Sequence, residues 1–206
     1  MEDNIKKLLE RQQYLYNEYS ERLKKIIAFI EIEFKGHPIP VLGDIHDFHD
    51  LTAACFEEEI GTEEGWADTQ ELLAYAENTY AYAIAECYHY SFYEYGKRVL
   101  KRYKWAKHLG NLESVSDGDF YDEYKSLCKL ADTKSREGDK YYEAKDYANS
   151  YLPYKEALEC MQKLDRLFDD HLRKINRSMW KGVLSKTGWA IIAIVLLVIA
   201  IIKIFG

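Results

Sequence analysis

Residues 67–108 read ADTQELLAYAENTYAYAIAECYHYSFYEYGKRVLKRYKWAKH, with no proline and one internal glycine, Gly96. Leu73, Ala76, Tyr80, Ala83, Cys87 and Tyr90 recur there at three- and four-residue steps, which puts them on one face of a helix with about 3.6 residues per turn. The spacing predicts one long helix from about Ala67 to His108, bent at Gly96 and stopped by Gly110 and Asn111. Such a stripe has to be covered by other helices, because most helical stability comes from packing an apolar face. Tyr75, Tyr80, Tyr82, Tyr88, Tyr90, Tyr93 and Tyr95 crowd the same segment. They are read as ring bodies turned inward with hydroxyls at the edge of a bundle.

Upstream, Ile5, Leu9, Tyr16, Tyr19, Leu23, Ile26 and Ile30 predict another amphipathic helix, interrupted at Gln12 and ending near Gly36. Pro38 and Pro40 follow, each lacking a backbone donor and restraining its predecessor, so a loop is expected to about Asp50. A short helix over Thr52–Ile60, closed by Gly61 and Gly65, completes that half. Downstream, Tyr147, Tyr151, Tyr154, Leu158, Met161, Phe168, Leu172, Ile175 and Met179 keep a heptad spacing across Asp165, predicting one continuous helix. The fold class that results is all-α, an antiparallel helical bundle.

Residues 131–160 read ADTKSREGDKYYEAKDYANSYLPYKEALEC. Ala131, Gly138, Tyr141, a turn at Lys145–Tyr147, Ser150, Tyr154 and Ala157 stand at the spacings of a helical pair, and the stretch resembles a tetratricopeptide repeat. The resemblance implies a helix–turn–helix over 131–164, in which Gly138 and Ser150 allow close approach while Tyr141, Tyr154 and Ala157 fill the seam. Lys134 departs from the large apolar residue usual at its place, and Pro153 falls inside the second helix. One copy is recognisable, and a single pair cannot bury its own face, so the long upstream helices must be divergent repeats or an unrelated bundle packed against it. The family's role in binding proteins or peptides would fall on residues exposed by the first helix: Asp132, Ser135, Asp139, Tyr142 and Glu143. Their charge favours basic or apolar ligands.

Charge and hydropathy divide the chain. From His171 to Gly206 the basic residues are Arg173, Lys174, Arg177, Lys181, Lys186 and Lys203, with no Asp or Glu, leaving 22 of 28 Lys and Arg against all 35 Asp and Glu in residues 1–170. Such an acidic domain argues against nonspecific nucleic-acid binding. Gly188 to Ile202 carries no charge, and continuing to Gly206 gives about 19 residues, or roughly 28 Å of helix. The expectation is one C-terminal transmembrane helix, a tail anchor over 188–206. It is preceded by a basic juxtamembrane segment over 171–187 and a cytoplasmic helical domain over 1–170. Arg173, Lys174, Arg177, Trp180, Lys181, Lys186, Trp189 and Lys203 would then lie at the membrane interface, the cations facing anionic headgroups.

Cys55, Cys87, Cys128 and Cys160 show no CxxC spacing, so neither disulfides nor zinc are expected. Gly43, Asp44, His46, Asp47, His49 and Asp50 form the cluster GDIHDFHD, whose GDxH resembles one piece of the calcineurin-like phosphoesterase pattern. The remaining pieces are missing: Gly110-Asn111-Leu112 has Leu where that family has His. No nucleophile motif or Gly-rich phosphate loop is present, so no catalytic residue, metal or cofactor is assigned. The function expected is a tail-anchored, non-enzymatic adaptor that binds a protein or peptide and can form homo-oligomers. A membrane-active effector is the alternative, and a hydrolase using Asp44, His46 and His49 stands behind both.

Overall fold

The computed structural model describes residues 2–36, 38–109 and 112–181, with Gly188, Ile191 and Ile194 beyond them. The elements are helical throughout: α1 (Glu2–Leu15), a π-helical turn (Tyr16–Ser20), α2 (Glu21–Phe34), α3 (Ile39–Ala54), α4 (Glu63–Leu109), a 3-10 segment (Leu112–Gly118), α5 (Asp119–Glu143) and α6 (Tyr147–Asp170). A break at His171 separates α6 from further helix over 172–181. No strand occurs among the described residues, in agreement with the all-helical reading.

Two compact units divide the chain. The first comprises Met1–Glu94 with Ala131–Glu159, and the second Tyr95–Leu130 with the described residues from Cys160 onward. In the first unit, α1 and α2 bury Leu8, Gln12, Leu15, Tyr19, Leu23, Ile26 and Ile30. Ile5, Leu9 and Tyr16, expected on that stripe, are exposed. Leu8, Gln12 and Leu15 lead into Tyr19, Leu23, Ile26 and Ile30 at unbroken three- and four-residue steps, so they are the positions that share that stripe's face. Buried Gln12 is satisfied by donating Nε2–H to the Thr52 carbonyl at 2.9 Å.

The loop expected before Asp50 is helix α3. Pro40 occupies its first turn, where a missing N–H costs no hydrogen bond, and Val41 N–H donates to the Pro38 carbonyl at 3.0 Å. Phe48 of α3 is fully buried, with its ring centroid 3.9 Å from that of Tyr80. The helix expected over Thr52–Ile60 instead ends at Ala54, and turns carry the chain to Thr62. Thr62 Oγ1 accepts the Gly65 N–H at 3.0 Å and so caps α4. Of the α4 stripe, Leu73, Ala76, Tyr80, Ala83 and Cys87 are buried, whereas Tyr90 is 40 % exposed.

In the second unit, Val99, Ala106, Leu112, Val115, Phe120, Leu164, Leu167, Phe168, Ile175 and Met179 form one apolar cluster. Tyr103 and Tyr124 stack beside it at 4.8 Å and 9°. Arg102 bridges Asp165, at 2.6 Å, and Asp169.

The membrane-spanning tail is corrected. Among the described residues no helix is long and apolar enough to cross a membrane. The stretch 188–206 lies outside the described residues except for Gly188, Ile191 and Ile194. The uncharged run from Gly188 to Ile202 is 15 residues, short of the roughly 20 that span a hydrocarbon core. The expectation that rested on it, a single-pass membrane protein with its N-terminal domain cytoplasmic, goes with it.

Candidate functional site

The pair formed by the C-terminal part of α5 and the start of α6 turns at Ala144–Asp146, with Lys145 in the left-handed region at φ 58°. The Asp146 carbonyl accepts N–H bonds from Asn149 and Ser150 at 3.2 and 3.1 Å, opening α6. Gly138 lies against the Tyr154 ring so closely that a Cβ there would stand 2.7 Å from two ring carbons. Tyr154, Ser150 and Ala157 are buried, but Tyr141, expected in the seam, is 38 % exposed. Its neighbour Tyr142 turns inward instead: its hydroxyl donates to Glu86 on α4, and its ring lies 5.9 Å from Tyr82 and 5.2 Å from Tyr147. Pro153, in the second turn of α6, forgoes one backbone bond and is buried in the same packing.

The five residues singled out for partner binding therefore do not form a free surface. Asp139 accepts the Tyr154 hydroxyl at 2.8 Å, and Tyr142 is engaged with Glu86. Burial and these carboxylates push both phenols well above their ordinary range, so they are neutral donors. Ser135 is half-buried, Glu143 is exposed, and exposed Asp132 pairs with Arg136 at 3.0 Å.

Two cavities flank the first turns of α4, and their chemistry differs. One, of about 320 Å³, is lined by Lys7, Arg11, Trp66, Gln70, Leu73 and Ala74. Its cations are already neutralised, Lys7 by Asp3 at 2.5 Å and Arg11 by Glu77. The other, of about 330 Å³, is lined by Leu51 of α3, Glu58 of the connector, and Asp68, Glu71, Leu72 and Tyr75 of α4. Asp68, Leu72 and Tyr75 follow i, i+4, i+7 spacing and share a helix face. Tyr75 is 65 % exposed at the rim. Among the described residues none of the three carboxylates forms an ion pair. Gly65 holds the connector in place, since any Cβ there would overlap the Glu59 carbonyl. The signal was present in FEEEIGTEEGWADTQE, residues 56–71, but reading Thr52–Ile60 as helix hid the fact that Glu58 faces α4.

The GDIHDFHD residues lie on α3, where helical spacing scatters them. His46 Nδ1 is 3.0 Å from Asp50 Oδ2, and His49 Nδ1 is 3.0 Å from the Tyr16 hydroxyl. Asp44 is turned inward: Oδ2 is buried without a hydrogen-bond partner, and burial, followed by Asp47 and Glu86, raises its carboxyl above the ordinary range. No group of three His, Cys, Asp or Glu among the described residues is placed to hold a metal ion.

Of the residues assigned to a membrane interface, Arg173, Lys174, Arg177, Trp180 and Lys181 are exposed on the helix over 172–181. Lys186, Trp189 and Lys203 lie outside the described residues. Compared with known proteins, the chain matches no family model, no curated protein and no solved structure.

Proposed function

We propose that the first unit is a non-catalytic interaction module that takes a short protein segment presenting Lys or Arg beside an apolar side chain. The observation that carries this reading is the pocket of Leu51, Glu58, Asp68, Glu71, Leu72 and Tyr75, where carboxylates without ion pairs among the described residues ring an apolar floor. The floor supplies affinity, since covering one Leu-sized side chain contributes about 1.5–3 kcal/mol. The rim supplies sign and register, each exposed ion pair adding about 0.2–1 kcal/mol. After the cost of ordering a peptide, such a site binds weakly, with Kd on the order of tens of micromolar or above. The tetratricopeptide resemblance of 131–160 supports an interaction role, and the preference for basic or apolar ligands is kept. The surface moves from α5 to the α3–α4 pocket.

Fluorescence anisotropy with a labelled decapeptide of alternating Leu and Lys tests the reading, with a Leu/Glu decapeptide as control. The Leu/Lys probe should bind, the control should not, and D68K/E71K should abolish binding. Equal binding of both probes, or no binding at millimolar protein, would overturn it.

A further inference from the structure

The helix over 172–181 presents the chemistry that the acidic pocket selects. Ile175 and Met179 are buried in the core of the second unit, which fixes the opposite face outward. On that face stand Arg173, Arg177 and Trp180 at i, i+4, i+7, with Lys181 alongside, and Trp180 is 67 % exposed. Among the described residues Arg173, Arg177 and Lys181 have no ion-pair partner, and no Asp or Glu occurs from His171 to Lys181. An indole flanked by guanidinium groups is a preferred anchor at protein interfaces, where a few aromatic and Arg side chains carry most of the energy.

We infer that the pocket's occupant is a second copy of this chain. The Arg173, Arg177 and Trp180 face of one molecule docks on the Glu58, Asp68, Glu71 and Tyr75 rim of another. This rests on the reading of the pocket above and names its partner. Complementary charge gives the contact its sign: a rim of carboxylates in one unit meets an uncompensated basic helix from the other copy. Every molecule carries one pocket and one basic helix, so each can serve as either side of the contact.

The test is a charge exchange, read by sedimentation velocity on the full chain. Wild type should associate at about 0.05 M salt and dissociate near about 0.5 M, where exposed charges are screened over a few ångströms. R173E/R177E and D68K/E71K change only exposed side chains. Each alone should weaken self-association about tenfold or more, because like charges then face each other. Mixed one to one they should associate again, since the acidic helix of the first variant suits the basic pocket of the second and the basic helix of the second suits the acidic pocket of the first. Three results would each overturn the inference: association unaffected by either variant, a mixture that stays dissociated, or a wild type monomeric at every concentration. A monomeric wild type that still binds the Leu/Lys decapeptide sinks this inference alone, whereas loss of both sinks the pocket.

Discussion

Replacing Gly138 by Ala separates close helix packing from ordinary helix propensity. In an open helical position the change is favourable, since Gly costs about 0.8–1.0 kcal/mol relative to Ala in a helix interior. Gly43 and Gly96 are such positions, with nothing within 4 Å of a built Cβ, so G43A and G96A should each stabilise by about 0.5–1 kcal/mol. At Gly138 the added methyl meets ring carbons of Tyr154 at 2.7, 2.7 and 3.0 Å. The ring has little room to retreat, because its hydroxyl is held by Asp139 at 2.8 Å and its face lies 4.9 Å from His89. Overpacking of this kind costs about 1–3 kcal/mol, and a broken Tyr154–Asp139 bond adds about 1. Net of the propensity gain, G138A should destabilise by about 1–3 kcal/mol, opposite in sign to G96A. Denaturant melts followed by circular dichroism give the comparison, and Tyr154→Leu in the G138A background should recover part of the loss. A G138A protein as stable as G96A would refute the close approach of α5 and α6.

Asp44→Asn should raise stability at pH 7, because it removes a desolvated negative charge that faces Asp47 and Glu86. The folded carboxyl keeps its proton above the pH at which the unfolded chain loses it, so wild-type stability falls as pH rises through that interval. The advantage of the Asn variant should accordingly shrink as melts are taken toward pH 4. Cys87, buried and with its thiol pushed up to about 12, should resist iodoacetamide at pH 8 until the protein unfolds, as read by mass spectrometry. Arg102→Met should destabilise the second unit by about 1–3 kcal/mol, since among the described residues Asp165 then keeps only Arg98 as an ion-pair partner, at 3.5 Å. Amide exchange should quicken first around Phe120 and Phe168.

Much of the helical plan was legible because long period-3.6 stripes leave little alternative. Leu73, Ala76, Tyr80, Ala83 and Cys87 are buried as their spacing requires, and a turn stands near Lys145. The failures have local causes. Two apolar stripes at helical spacing compete in α1, and the one through Leu8, Gln12 and Leu15 is buried although it carries the polar Gln12, because the Thr52 carbonyl satisfies that amide, while Ile5 and Leu9 face outward. Pro38 and Pro40 read as breakers because the donors they lack matter inside a helix and not in its first turn. The pocket was hidden for a different reason. It joins Leu51, Glu58 and Tyr75 from three segments, and only the capped turn at Thr62 and the close approach at Gly65 bring Glu58 against α4. On α5, periodicity put Asp132, Ser135, Asp139, Tyr142 and Glu143 on one side. It could not show that Glu86 and Tyr154 use Tyr142 and Asp139 from within.

The most direct measurement is an amide chemical-shift map of the full chain titrated with the Leu/Lys decapeptide. The account predicts saturable shifts centred on Leu51, Glu58, Asp68, Glu71, Leu72 and Tyr75, absent with the Leu/Glu peptide. Shifts centred on Asp132 to Glu143, or a map without any cluster, would contradict it.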